Sequence, residues 1–237
     1  MRGVVADAPF FCQGRKKRFL ITDLKAPLSA ITGLPEVLLI DDNLTEKQRE
    51  ILRLIKEKGW RMLDMINISL TLLKIEYGDY APRFETVDIL AELWDMISGM
   101  GHLAGQLEVS SCILMDGRPP GPEDSVTIMT EGLLCRSIFE NLYKNALEAS
   151  PPGQTVFIRV AAGATTCISL ENKGEVPENI RKHFFDKYVT QDKSGGTGLG
   201  TYSARLAARA LGGDIELDTG TPGQTTIRVF LPTNPNK

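Results

Sequence analysis

The stretch Gly195-Gly196-Thr197-Gly198-Leu199-Gly200 runs directly into the helical pattern Thr201-Tyr202-Ser203-Ala204-Arg205-Leu206-Ala207-Ala208-Arg209. Glycines let main-chain N–H groups approach an anion closely, and the helix that follows offers the positive end of its dipole. A glycine-rich turn that leads into a helix is therefore typical of a phosphate-binding loop. The glycines alone would also fit an ordinary flexible loop. The segments upstream help to decide between a flexible loop and a phosphate-binding loop.

A second segment, from Glu140 to Ala149, is predicted to be a helix. Asn141 and Asn145 lie one turn apart in it, so their amides share one face. Paired amides are often caps or surface groups, but apolar residues flank these two and indicate a largely buried helix: Ile138, Leu142 and Ala146. Buried amides need partners. Magnesium that carries the phosphates of a nucleotide takes such oxygen ligands.

Two further segments lie between the paired amides and the glycine turn, namely Glu171 to Pro177 and Phe184 to Tyr188. In order and approximate spacing, the four segments resemble the ATP-binding domain of sensor histidine kinases and, more distantly, that of gyrase B, Hsp90 and MutL. The resemblance covers roughly residues 85–235. The matched boxes are Asn141 to Asn145 (N box), Asn172 to Gly174 (first glycine box), Phe184 to Tyr188 (F box) and Gly196 to Gly200 (second glycine box).

The resemblance implies ATP and magnesium as ligands and a role for each matched residue. Asn145 would be the magnesium ligand, with Asn141 on the same nucleotide-facing side. Asn172 stands where the family usually has an aspartate that accepts a hydrogen bond from the adenine amino group, and an amide oxygen accepts this bond without the charge of a carboxylate. The other implied nucleotide-binding residues are Gly174, Lys187, Lys193, Gly196, Thr197, Gly198, Leu199 and Gly200. For the two lysines, simple solvation is an equal alternative.

Upstream, apolar residues recur at steps of three or four from about Arg18 to Leu39 and again from about Thr45 to Leu73, as in helices with one apolar stripe. Thr45 and Gln48 have the spacing of a capping box at the start of the second helix. The sequence therefore predicts an antiparallel helical hairpin. Because a lone hairpin cannot bury its stripe completely, we expect two copies to form a four-helix bundle. The alternative is that the stripe packs onto the C-terminal domain of its own chain.

The hairpin also resembles the dimerisation and phosphotransfer domain of sensor kinases, whose acceptor motif is His, acidic, Leu, basic, small, Pro, Leu. The segment Thr22-Asp23-Leu24-Lys25-Ala26-Pro27-Leu28 matches this motif except at its first position, where Thr22 replaces the histidine. A neutral imidazole has a lone pair that accepts a phosphoryl group, whereas a hydroxyl needs a base, for which Asp23 is the adjacent candidate. Neither histidine of the chain, His102 or His183, lies in the motif. Histidine autophosphorylation is therefore not expected.

Thr22 leaves three explanations open: natural loss of the acceptor in a pseudokinase, a deliberate substitution, or phosphorylation of the threonine itself, which ranks last. Two functions follow. The first is a sensor histidine kinase-like protein that binds Mg-ATP for phosphoryl transfer in a two-component phosphorelay. The second is a noncatalytic, ATP-binding, dimeric pseudokinase scaffold that docks the receiver domain of a response regulator. A gyrase- or chaperone-type ATPase is disfavoured, because those proteins have a glutamate base where Asn141 stands.

Length and composition agree with a chain of several parts. The 237 residues are predicted to comprise an N-terminal extension (1–15), the hairpin (16–78) and the ATP-binding domain (79–237). The net charge of −3 does not favour nucleic-acid binding. No apolar run approaches the roughly 20 residues of a bilayer span, and no secretory leader is recognised, so we expect a cytoplasmic protein. Sensory input would come from another chain or a missing region. The four cysteines lack metal-binding spacing.

The predicted fold class is α+β, with the hairpin followed by an α/β sandwich that has a mixed sheet. Beyond the hairpin the sequence predicts helices over 87–103, 131–149 and 199–211. Strands are predicted over 84–87, 125–130, 155–161, 165–171, 214–218 and 225–231. The second and third of these helices are expected to cover one face of the sheet.

Overall fold

The structure is a computed structural model that describes residues 25–41, 43–189 and 198–235. The chain divides into two compact units between Tyr80 and Ala81. In the part of the chain described, the first unit is helical and the second contains the strands, which confirms the α+β class. Some predicted site residues lie outside the described residues: Thr22, Asp23, Lys193, Gly196 and Thr197.

The first unit is a hairpin of α1 (Lys25–Leu38) and α2 (Glu46–Glu76). Thr45 caps α2 as predicted: its hydroxyl accepts a hydrogen bond from the Gln48 N–H at 3.3 Å, and the Gln48 side chain accepts one from the Thr45 N–H at 2.8 Å. The helices approach closely where Gly59 faces the buried Thr32, because a Cβ atom on Gly59 would lie 2.6 Å from the Thr32 Cγ2 methyl. No helix among the described residues is long and apolar enough to cross a membrane.

The second unit is built on a five-stranded sheet. Its strands are β2 (Ser110–Met115), β4 (Thr155–Ala161), β5 (Thr165–Lys173), β6 (Asp214–Asp218) and β7 (Gln224–Pro232). They lie in the order β2-β4-β5-β7-β6, and the sheet is mixed, as predicted, because β2 and β4 are parallel and the other pairs are antiparallel. Burial alternates along β4, β5 and β7, which puts one apolar face of the sheet in the core.

Two helices cover this buried face, α5 (Gly132–Ala149) and α7 (Gly200–Ala210). The apolar side of α5 is inaccessible to solvent, and α7 packs with small residues that permit a close approach: Ala204, Ala207 and Ala208. A two-stranded sheet of β1 (Glu85–Asp88) and β3 (Thr127–Thr130) lies beside this sandwich. The prediction that the two helices cover one face of a mixed sheet is confirmed.

One local prediction was wrong, and two elements were not predicted. The helix predicted over 87–103 is two helices, α3 (Ile89–Gly99) and α4 (Gly101–Gln106), because Gly99 and Gly101 flank the break at Met100 and glycine disfavours helix continuation. The strand β2 was not predicted, since its register depends on distant β4 and on a 2.6 Å hydrogen bond between Ser111 and Tyr143 of α5. The short helix α6 (Glu178–Arg181) was also missed.

Candidate functional site

The paired amides of α5 lie against the first residue of α7. Asn141 and Asn145 are half-buried, while Leu142 and Ala146 between and beside them are in the core. A Cβ atom on Gly200 would lie 3.3 Å from Asn141 Oδ1 and 3.8 Å from Asn145 Nδ2. The predicted N box and the end of the predicted second glycine box are therefore in contact. Glycine at this position lets the helix start approach both amides.

A hydrogen bond orients the first of the two amides. Asn141 Nδ2 donates to the Ser137 carbonyl at 2.8 Å, one turn earlier in α5. With the NH2 group engaged there, the carbonyl oxygen of the amide is on the side of Gly200. An amide held in this way presents an acceptor oxygen beside the positive end of α7.

The first glycine box meets the other end of α5. Asn172 lies near the end of β5, only 4% exposed, with Nδ2 3.3 Å from the Lys173 carbonyl. Gly174 follows with φ +140°, a left-handed conformation that favours glycine, and a Cβ there would lie 2.5 Å from the Ala149 carbonyl. Thr225 on β7 donates to the Gly174 carbonyl at 2.8 Å. Both glycine boxes therefore contact α5.

The segment after Gly174 is braced by the turn before β7. Gly174 N–H donates to the Gly223 carbonyl at 3.0 Å, and the Glu175 carboxylate accepts from the Gly223 N–H at 2.5 Å. The carboxylate thus satisfies a main-chain donor of this turn.

The F box from Phe184 to Tyr188 packs on the start of α7. Thr201 Oγ1 donates to the Phe184 carbonyl at 2.8 Å, and the Tyr188 N–H donates to the Gly198 carbonyl at 2.9 Å. Gly198 has φ +63°, and a Cβ there would lie 2.6 Å from the Tyr188 carbonyl carbon. Lys187, a predicted phosphate-binding cation, has its Nζ 4.9 Å from the centroid of the Tyr202 ring.

An arginine missed by the sequence analysis joins the F box to the sheet. Arg205 Cζ lies 4.9 Å from the centroid of the Phe185 ring, and Arg205 Nε lies 2.9 Å from Asp214 Oδ1. Arg209 also contacts Asp214, at 3.2 Å. Burial opposes ionisation of this carboxyl, but hydrogen bonds from Arg205, Arg209 and the Ile215 N–H outweigh burial and hold the pKa of Asp214 below its ordinary value.

The side chains of this region fit a magnesium ion that arrives with a nucleotide. The described residues hold no cluster of three or more His, Cys, Asp or Glu side chains that would retain a metal ion alone. Asn145 can offer one neutral amide oxygen, and Mg²⁺ characteristically completes its shell with phosphate oxygens and water. The two histidines lie elsewhere: His102 is in α4, and His183 is exposed and pairs with Asp186 at 2.7 Å.

Two family models match the chain. Residues 130–235 match the histidine kinase-, DNA gyrase B- and HSP90-like ATPase domain, and residues 23–78 match the His Kinase A (phospho-acceptor) domain. The second match begins one residue after Thr22.

Curated relatives match along most of this chain. The circadian input-output histidine kinase CikA of Synechococcus elongatus is 27% identical over 92% of the chain and 30% of its own length. The sensor protein DivL of Caulobacter vibrioides is 25% identical over 89% of the chain and 27% of its own length. The swarming motility regulation sensor protein RssA of Serratia marcescens is 29% identical over 87% of the chain and 44% of its own length. The chain thus spans less than half the length of each of these three relatives.

Solved structures share the fold. Full-length ShkA, crystallised in complex with AMPPNP, aligns with 92% of this chain and 46% of its own, with a TM-score of 0.68 and 20% identity. The histidine kinase AdeS of Acinetobacter baumannii aligns with 91% of this chain and 98% of its own, with a TM-score of 0.56 and 16% identity.

The fold and the match over residues 130–235 define the class of the second unit, which is a histidine kinase-, gyrase B- and HSP90-like ATPase domain. Together with the phospho-acceptor match over residues 23–78, this shows that the chain belongs to the sensor histidine kinases and contains their catalytic core.

Proposed function

We propose that this chain binds a magnesium-bound adenine nucleotide between α5 and the start of α7 and serves phosphoryl transfer in a two-component system. The contact of Gly200 with Asn141 and Asn145 carries the proposal, because it brings the Asn141 amide oxygen and the neighbouring Asn145 amide to the N-terminal end of an eleven-residue helix. Such a helix end attracts phosphate, and the amides suit the metal that accompanies it. The AMPPNP bound to ShkA agrees with this choice of ligand.

Within this proposal, each predicted residue has a task. Asn145 supplies its oxygen to magnesium, and Asn141 orients the phosphates beside it. Asn172 accepts a hydrogen bond from the adenine amino group. Main-chain N–H groups of the two glycine boxes bind the phosphates, and two lysines add positive charge. The glycine-box residues are Gly174, Gly196, Thr197, Gly198, Leu199 and Gly200, and the lysines are Lys187 and Lys193. Bound magnesium would neutralise charge on the transferring phosphoryl group.

The hairpin supports a proposed homodimer. Apolar side chains between 41% and 62% exposed recur at helical spacing on both helices: Ile31, Leu34, Leu38, Ile51, Ile55 and Met62. Because these side chains remain uncovered within the hairpin, a second copy would bury them in a four-helix bundle. We also propose a cytoplasmic location, a receiver domain of a response regulator as partner, and sensory input from another chain or a region beyond this one.

Calorimetric titration with ADP and magnesium tests the nucleotide site. Replacing Asn145 by Ala removes the metal-directed oxygen, and we expect at least about tenfold weaker binding, since hydrogen bonds to charged groups contribute about 1.5–3 kcal/mol. Asn43→Ala, in the hairpin turn, is the matched control and leaves the dissociation constant unchanged. A wild-type chain that binds no nucleotide in the presence of magnesium refutes the proposal.

A second candidate function rests on Thr22, which we propose stands at the acceptor position. A chain without the acceptor imidazole would bind nucleotide and act as a dimeric pseudokinase scaffold for a response regulator. Incubation with γ-labelled ATP separates the two functions by comparing the wild type with Thr22→His. Label on the histidine variant alone supports a kinase core altered only at its acceptor. Label on neither, with nucleotide still bound, supports the scaffold, and label on the wild type indicates a hydroxyl acceptor.

A further inference from the structure

One guanidinium group on α7 contacts both the F box and the edge strand of the sheet. The Arg205 group stacks near the Phe185 ring, with Cζ 4.9 Å from the ring centroid. Its Nε and Nη2 donate to the two carboxylate oxygens of Asp214 at 2.9 and 3.4 Å. Asp214 is the first residue of β6, so the carboxylate is fixed to the sheet. The Phe185 ring is thereby linked to the sheet through a single side chain.

Backbone contacts place the rest of this segment on the first turns of α7. Thr201 holds the Phe184 carbonyl, and Gly198 accepts from the Tyr188 N–H. Gly198 in turn is two residues from Gly200, which contacts the Asn141 amide. Arg205, in the second turn of α7, contacts the Phe185 ring of this segment.

We propose that Arg205 is a positioning residue of the nucleotide site. It holds Phe185, and with it the segment from Phe184 to Tyr188, in the place where Tyr188 bonds to Gly198 and Gly200 lies against the paired amides. This inference rests on the proposed nucleotide-binding function. A ligand that needs this arrangement binds more weakly when part of its binding energy is spent on ordering the segment.

Arginine suits this position for two reasons. A planar guanidinium can stack on an aromatic face while its edge donates two hydrogen bonds to a carboxylate, whereas an ammonium group cannot do both with the same geometry. Arg209 also forms an ion pair with the Asp214 carboxylate. Among the described residues, the guanidinium that lies over the Phe185 ring is that of Arg205 and not that of Arg209. Arg209 therefore offers a matched control.

The test compares Arg205→Gln with Arg209→Gln by titrating each chain with magnesium and ADP. Both variants lose hydrogen bonds to Asp214 and should lower the melting temperature, Arg205→Gln by the larger amount. Only Arg205→Gln loses the contact with Phe185. A cation–π contact of about 1 kcal/mol corresponds to about fivefold weaker nucleotide binding. We expect Arg209→Gln to remain within about twofold of the wild type, and Arg205→Lys to fall between the two glutamine variants.

A double-mutant cycle provides a second measurement that does not depend on the ion pair. Phe185→Leu removes the ring and leaves Arg205 paired with Asp214, and it should weaken binding at least as much as Arg205→Gln, because the ring also packs edge-on against Phe184. The loss of affinity in the double variant should be smaller than the sum of the two single losses, because both single variants remove the contact between Arg205 and Phe185.

The outcomes distinguish this inference from the proposed function. Fivefold weaker binding for Arg205→Gln, with unchanged binding for Arg209→Gln, supports the positioning role. A wild type that binds nucleotide while the two glutamine variants bind equally well overturns the positioning role alone, as does full additivity in the cycle with Phe185. Absence of nucleotide binding by the wild type overturns the proposed function and this inference together.

Discussion

Gly200→Ala should separate stability from nucleotide binding. The new Cβ would lie 3.3 Å from Asn141 Oδ1 and 3.8 Å from Asn145 Nδ2, so the nearer amide must move by roughly 0.3 Å to reach an ordinary separation. Gly200 begins α7 and its φ is not in the left-handed range, so alanine is compatible with the backbone. Alanine stabilises a helix interior by up to about 1 kcal/mol relative to glycine, and less at the first turn.

The two effects therefore have opposite signs. We expect the melting temperature to stay the same or rise, because helix propensity offsets the small steric cost. The shift should cost most of one hydrogen bond from the Asn141 amide to the ligand, about 1 kcal/mol, and this corresponds to about fivefold weaker nucleotide binding. Calorimetric titration measures the affinity, and thermal unfolding measures the stability of the same preparation.

Gly105→Ala in α4 is the matched control, since nothing lies within 4 Å of its Cβ position. This variant should gain a similar stability and bind nucleotide as the wild type does. The reasoning is refuted if Gly200→Ala binds nucleotide with wild-type affinity, because the ligand would then not depend on the contact between α7 and the amides.

The remaining predictions concern stability and reactivity. The pKa of Asp214 is lowered in the folded state, so its ionisation stabilises the fold above the unfolded pKa of about 4, and this contribution is lost as the pH falls through the folded pKa. The difference in unfolding free energy between the wild type and Asp214→Asn should therefore be constant from pH 5 to 8 and should narrow below about pH 4. A difference that stays constant at low pH contradicts this. Burial raises the pKa of the Cys135 thiol to about 12, so iodoacetamide at neutral pH should label Cys112 before Cys135 in the native protein, as peptide mass mapping would check. Gly59→Ala should lower the stability of the hairpin by about 1–3 kcal/mol in thermal unfolding, because its Cβ meets the Thr32 methyl at 2.6 Å, and adding Thr32→Ser, which removes that methyl, should restore most of the loss.

Local chemistry made several elements predictable. The strands over Thr155–Ala161 and Asp214–Asp218 have the predicted bounds, because alternating β-branched and apolar residues lie between turn-forming glycines and prolines. The capping box of Thr45 and Gln48 is likewise a property of four consecutive residues. Such signals are read from neighbours in the chain and need no knowledge of the fold.

Other features depend on residues far apart in the chain. β2 becomes a strand because β4 lies beside it and Tyr143 bonds to Ser111, and neither partner is visible in the sequence of the strand itself. Arg205 was not predicted to matter, since its spacing to Arg209 is equally typical of a solvated helix face. Only the pairing of both with Asp214, the first residue of β6, would have provided a signal.

The sequence by itself determined the class of protein and the set of boxes, because the types and spacing of Asn141, Asn145 and the glycines are local and discrete. The tertiary structure alone decided that Gly200 lies against both amides and that a guanidinium connects Phe185 to the sheet. The contact of Gly200 with the two amides joins segments far apart in the chain, while Arg205 and Asp214 are only nine residues apart on different elements. Both contacts are set by how the helices pack on the sheet, which no local pattern encodes.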